Sequence, residues 1–307
     1  MLPADHAGSK PPSTWWALQA RLAPYLFICP FVVLFSVFML WPLVRSVILS
    51  FYQTAGTPST IRFVGLDNFI FLVQDPTFYV AILNTLGYTL AFVLIQLPAA
   101  LLLAVILNSK RVRGRNLFRF AFFAPHLVGQ VFVAVIFGLL LANNGPINAL
   151  INQFLPTAEL NWKTDPILAR PAVIIASLWL SVGYGMIYFL ASLQAIDRDL
   201  YEAADVDGAG RWAQFWHITL PGIRPVLIFM ILVTTIGGFQ LFELPYVLFQ
   251  GGGPGQAGLT IVSYLFGYGI EIGDIGYAAA IGWGLAIMIL VVSLIQIRVM
   301  RAGRDDA

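Results

Sequence analysis

The chain has 307 residues, of which 59% are hydrophobic and only 10% charged, with a mean hydropathy of +0.82. A water-soluble domain carries about 25% charged residues, so this composition excludes a soluble globular protein and places the chain in a membrane. The net charge of +2 is uninformative as a sum; its distribution along the chain says more.

A membrane-crossing helix needs roughly 20 mainly apolar residues. Six such stretches occur, near 25–49, 80–107, 117–142, 171–193, 223–249 and 276–299. Residues 1–24, with Asp5, Lys10, Pro11, Pro12 and Arg21, read as a tail. The run from Tyr25 to Leu43 is too long for a signal-peptide core, and no small-residue cleavage site follows it, so the first span is expected to be uncleaved. It holds Cys29, the one cysteine, so no disulfide framework forms within the chain.

The connection 50–79 contains the turn formers Gly56-Thr57-Pro58. In the second span Thr85, Thr89, Phe92 and Gln96 share a face, with Asn84 and Tyr88 beside it. The cluster Lys110-Arg111-Val112-Arg113-Gly114-Arg115 lies between two spans, which makes it a topology anchor rather than a nucleic-acid site. His126, next to Pro125 in the third span, reads as a packing or hydrogen-bonding histidine. The connection 143–170 carries Asn143-Asn144-Gly145-Pro146. Ser177, Ser181, Tyr184 and Tyr188 fall on one face of the fourth span.

The segment 194–222 is polar and looks structured. Asp199-Leu200-Tyr201-Glu202 has the form of a capping box. Ala203 and Ala204 favour helix and leave little bulk, and Asp207-Gly208 supplies a turn. A second short helix is expected over 210–218, with Trp212, Phe215, Trp216 and Thr219 on one largely aromatic face. That face alone fits either a docking element or an interfacial helix resting on lipid. Pro221 and Pro225 should then stop and restart the chain.

In the fifth span Phe239, Glu243, Tyr246 and Gln250 line up, with Gln240 adjacent; Gly237-Gly238 and Pro245 mark a bent or broken helix. An acidic residue within a span is costly and faces protein or water, which singles out Glu243. The connection 250–275 opens on Gly251-Gly252-Gly253-Pro254, and Gly276, Ala280 and Gly284 form a close-packing face on the sixth span. Residues 300–307 form a second tail.

Of the 17 Lys and Arg residues, 13 lie on the side of the two termini and of the 194–222 segment, against 4 on the other. The positive-inside rule makes that side cytoplasmic. The expected fold is an all-α integral membrane protein with one domain, 25–299, of six transmembrane helices and both termini inside. No repeat of fixed period and no similarity between halves supports an inverted-repeat carrier. A stand-alone ion-coupled carrier would need ionisable groups in several spans, and Glu243 is nearly alone. Catalysis or metal binding would need clustered groups, whereas His6, His126 and His217 are scattered; no metal site and no enzyme activity are expected.

Glu202, Ala203, Ala204, Gly208, Ile218, Leu220 and Pro221 match, in spacing, the cytoplasmic coupling segment of ATP-binding-cassette import permeases. Asn84-Thr85-Leu86, Gly145-Pro146-Ile147-Asn148, Ala191-Ser192-Leu193-Gln194-Ala195-Ile196 and Phe242-Glu243 through Gly251-Gly252-Gly253-Pro254 resemble further stretches of the carbohydrate-uptake permeases. The resemblance covers about residues 20–300, to the maltose and glycerol-3-phosphate type. It implies a heterodimer with a second permease, two ATP-binding subunits and an external solute-binding protein, all in a prokaryotic cytoplasmic membrane. The chain has no phosphate loop, so it binds no cofactor itself, and ATP and Mg belong to the partner ATPase. Segment 199–225 would be the coupling element between the fourth and fifth spans. Its contacts would come from Glu202, Ala203, Ala204, Asp207, Gly208, Phe215, Ile218, Leu220 and Pro221.

Asn84, Tyr88, Ser181, Tyr184, Tyr188, Phe239, Gln240, Glu243 and Tyr246 are the candidates for a substrate path. Aromatic rings with hydroxyl and carboxamide groups suit a sugar, whose apolar faces stack and whose hydroxyls need donors and acceptors. A phosphate would want Lys or Arg within the spans. The spans have none at mid-depth, which favours a neutral sugar or polyol over glycerol-3-phosphate.

Overall fold

The computed structural model describes residues 14–54, 61–109, 112–154 and 160–305. The Gly56-Thr57-Pro58 turn, Lys110, Arg111 and most of the N-terminal tail lie outside them. Five helices are long and apolar enough to cross a membrane: Arg21–Leu49, Pro76–Asn108, Pro166–Gln194, Arg224–Phe249 and Ile275–Met300. They correspond to the stretches expected to form the first, second, fourth, fifth and sixth spans. The stretch expected to form the third is a pair, Arg115–Leu127 and Gln130–Leu140, bent by 101°. Pro125 tightens the first helix into a 3₁₀ turn over Ala124–Leu127, and Val128 and Gly129 are extended, so the chain turns within an unbroken apolar run.

Helix extends further at both ends than the tails allow for. It begins at Thr14, and the last helix runs from Ile275 to Asp305. Four helices widen into a π turn, over Ser36–Leu40, Phe92–Gln96, Phe215–Thr219 and Gly267–Ile272. The first three end two residues before a proline: Pro42, Pro98 and Pro221. A proline has no N–H to donate four residues back, and its ring pushes on that carbonyl; a widened preceding turn removes both conflicts.

The connections at the end away from the 194–222 segment, termed outer, carry more structure than turn formers suggest. An antiparallel hairpin pairs β1 (Tyr52–Thr54) with β2 (Ile61–Phe63), so the fold is not purely helical. Its Tyr, Thr, Ile and Phe residues are good strand formers. Short helices follow over Asp67–Gln74 and Pro146–Phe154, and an apolar helix, Ile261–Ile272, lies in the connection before the sixth span. Thr260 and Ser263 cap it reciprocally. Asp75 caps the second span by accepting from the Thr77 N–H, and also from Tyr264 and Tyr277. Burial raises its carboxyl, but those hydrogen bonds outweigh it and hold the group below the usual carboxylate range.

Three buried clusters hold the helices together. Tyr88, Val133, Ala172 and Leu244 pack the outer halves of spans two to five. Ala100, Ala104, Met186, Phe189 and Met230 pack the inner halves of spans two, four and five. Phe78, Phe239, Ile261, Tyr277 and Ile281 join the second, fifth and sixth spans to the outer helix. Small residues set the close crossings, as expected where lipid provides no hydrophobic drive. A Cβ on Gly183 would overlap the Phe122 carbonyl, and one on Gly276 the Tyr52 carbonyl. A Cβ on Gly238 would lie 2.5 Å from Thr89 Oγ1. No residue in the apolar window of the first span is buried.

Candidate coupling segment and translocation face

The polar segment after the fourth span folds as two short helices set against each other. The first covers Arg198–Val206, and its cap is Asp197, whose carboxylate accepts the Asp199 N–H at 3.1 Å. This corrects the capping box expected from Asp199 and Glu202: Asp197 is extended, the conformation a cap requires, and the helix has already begun at Arg198. Glu202 and Ala203 are therefore mid-helix and exposed. Gly208, at φ +77°, makes the turn with open space around it.

The second helix starts at Arg211, passes through the π turn and continues over Leu220–Gly222. Pro221 does not stop it, because the widened turn absorbs the missing donor. The break falls two residues later, at Ile223. Two cross-links fix the helices to one another. Gln214 Nε2 donates to Asp205 Oδ1 at 2.6 Å and to the Ala209 carbonyl at 3.1 Å. The Tyr201 hydroxyl meets Thr219 Oγ1 at 2.9 Å, and Thr219 is buried. Trp212, Phe215 and Trp216 form the expected aromatic face, ring on ring at 5.7–6.1 Å. Ile218 and Leu220 are half-buried, and Asp207 is exposed. At the tip Val206 is 87% exposed, an apolar group that no pattern in the sequence singles out.

The candidates for a substrate path separate into two sets. Asn84, Tyr88 and Phe239 are buried. Asn84 donates to the Gln256 and Leu259 carbonyls at 2.7 and 3.1 Å, and its Oδ1 accepts from Arg170. Tyr88 donates to the Ala257 carbonyl at 2.7 Å. Their polar groups are thus turned onto the glycine-rich connection after the fifth span. Phe239 packs in the core with Phe78 and Ile261.

Tyr184 and Tyr188 do come together on an open face, with hydroxyls 3.3 Å apart and rings at 4.9 Å. His126 stacks on Tyr184 at 4.7 Å, Phe123 lies beyond it, and Phe229 follows Tyr188 at 5.8 Å. The result is a five-ring ladder across the third, fourth and fifth spans. His126 belongs to it because of the 101° bend, which periodicity could not reveal. Ser181 is half-buried one turn from Tyr184.

The fifth span breaks at Gln240–Phe242, between Gly238 and Pro245, and leaves Gln240 and Glu243 exposed. Tyr246, on the next turn, donates to Glu271, a second carboxylate whose place in a connection gives no sign of this contact. Among the described residues no cluster of His, Cys, Asp or Glu could hold a metal ion.

Residues 96–302 match the family described as binding-protein-dependent transport system inner membrane component. The arabinooligosaccharides transport system permease protein AraP of Bacillus subtilis is 41% identical over 288 residues, covering 93% of this chain and 91% of that one. The lactose transport system permease protein LacF of Rhizobium radiobacter is 36% identical, over 89% of this chain and 92% of its own. The crystal structure of a bacterial ABC transporter involved in the import of the acidic polysaccharide alginate superposes with a TM-score of 0.81 at 26% identity, covering 94% of this chain and 98% of that one. With its apolar spans and a family match over most of its length, the chain is a multi-pass membrane protein that belongs to the binding-protein-dependent transport system inner membrane components.

Proposed function

We propose that the chain is a permease subunit of an ATP-driven sugar importer, and that Glu202–Pro225 is where a separate ATPase transmits force to it. The observation that carries this reading is the cross-linked helix pair. Gln214–Asp205 and Tyr201–Thr219 make two short helices move as one body, while Glu202, Ala203 and Val206 remain exposed for a partner. Glu202 makes a charge-assisted contact with a basic residue of the ATPase, and Ala203 and Ala204 let its surface come close. ATPase closure then tilts the spans as a rigid body between inward-open and outward-open states. The membrane orientation, with this segment and both termini cytoplasmic, rests on the Lys and Arg asymmetry.

The transported class is a sugar. Relatives carry arabinooligosaccharides and lactose in their names; Tyr184 and Tyr188, with Ser181 one turn away, and Gln240, Glu243 and Tyr246 at the break of the fifth span, offer rings, hydroxyls and a carboxamide. A second permease completes the path, and a structural neighbour has been solved with an alginate pentasaccharide-bound periplasmic protein, so an external binding protein is assigned as the donor. Family membership favours this over a stand-alone carrier or channel.

The test is uptake of labelled oligosaccharide by proteoliposomes holding the full complex. Glu202→Lys combined with Gly208→Trp should abolish uptake and binding-protein-stimulated ATP hydrolysis while leaving membrane insertion intact. Normal uptake by that double variant would overturn the assignment.

A further inference from the structure

Where the fifth and sixth spans meet, at the end next to the coupling segment, a cavity of about 560 Å³ opens between them. Pro221, Arg224, Ile228, Leu232, Ile297 and Met300 line it. The wall is graded. Arg224 sits at the start of the fifth span, and Ile228 and Leu232 follow one and two turns deeper, ~12 Å along the axis. Opposite, Ile297 and Met300 lie near the end of the sixth span, and an Arg224 guanidinium N–H donates to the Met300 carbonyl at 3.3 Å. A guanidinium carries five N–H donors in a planar fork suited to phosphate oxygens. Arg298 is exposed alongside, and Arg301 and Arg304 continue the basic sequence.

A cation at headgroup depth above an apolar slot has the polarity profile of a phospholipid. We infer that this groove seats an anionic phospholipid of the cytoplasmic leaflet, with its phosphate on Arg224 and an acyl chain along Ile228 and Leu232. Charge complementarity selects the occupant: the leaflet on the basic side of a membrane protein is the one whose anionic headgroups such inter-helix basic pockets attract. A protein helix would need no cation at the rim. The cytoplasmic assignment of the leaflet rests on the orientation proposed above; the lipid site itself does not. The bound lipid abuts Pro221, so headgroup chemistry bears directly on the coupling segment.

The experiment is native mass spectrometry of the full complex equilibrated with equal mole fractions of phosphatidylglycerol and phosphatidylcholine. Phosphatidylglycerol should be retained at least tenfold over phosphatidylcholine. Arg224→Gln should bring retention down to the phosphatidylcholine level, and Arg224→Lys should keep most of it. Ile228→Trp, which fills the slot without touching the charge, should displace both lipids. Equal retention of the two lipids by the wild type, or unchanged selectivity in both Arg224→Gln and Ile228→Trp, overturns the site. So does capture of a partner subunit instead of lipid by a cross-linker at Ile297→Cys. A membrane-impermeant maleimide on Arg298→Cys, in a Cys29→Ala background, reports orientation separately. Labelling from outside would move the site to the other leaflet and leave the retention pattern intact.

Discussion

Gly183 decides where the aromatic ladder stands. A side chain there would overlap the Phe122 carbonyl, so the third span's bend can lie against the fourth span only because this residue has none. His126 and Tyr184 meet as a result. Gly183→Ala should cost about 1–3 kcal/mol through overpacking. Thermal unfolding in detergent would register it, and unchanged stability would mean the two helices do not touch there. The sequence held the glycine but no sign of its neighbour. His126 beside a proline reads as a packing histidine, and its ring does pack on Tyr184, but the partner was not legible, since the bend that brings it there leaves hydropathy unbroken. Asn84 was legible as important but not in its role: the buried carboxamide meets two backbone carbonyls 172 and 175 residues away, a separation no local pattern encodes.

At the scale of elements, the long apolar runs showed themselves because each must satisfy its backbone internally and face lipid or protein throughout. The outer helix Ile261–Ile272 did not. Gly267, Gly269 and Glu271 break its apolar pattern, and it is shorter than a span. The helix pair after the fourth span was readable as two helices and a turn, whereas the brace between them was not, because Gln214 and Asp205 look like ordinary surface residues. That brace makes a prediction. Gln214→Ala removes a contact that contributes about 1 kcal/mol when its groups are exposed, so the pair should loosen by a factor of about 5. Transport should fall while the amount of assembled complex stays the same. Full activity in Gln214→Ala would mean that force passes through the first helix alone.

For the whole molecule, the first span stands out as the element least engaged with the rest. Cys29, the chain's one cysteine, is exposed on it and serves as a native probe. If a second permease covers that surface, a lipid-soluble maleimide should alkylate Cys29 at least fivefold more slowly in the assembled complex than in the chain produced alone. Equal rates would leave the span facing lipid and put the heterodimer contact elsewhere. The charge asymmetry from which the orientation is inferred is a matter of residue counts, because such a bias acts through the surrounding membrane and not through folded contacts.

An apolar helix is as comfortable among lipid tails as against protein, so leaving most of the first span outside the bundle, with only its last turn close to the sixth span, carries no penalty. The chain can therefore fold on insertion with that surface still open to a second apolar helix. If a second permease takes that place, a copy made without one would differ from an assembled copy in what it shows to lipid and not in its fold.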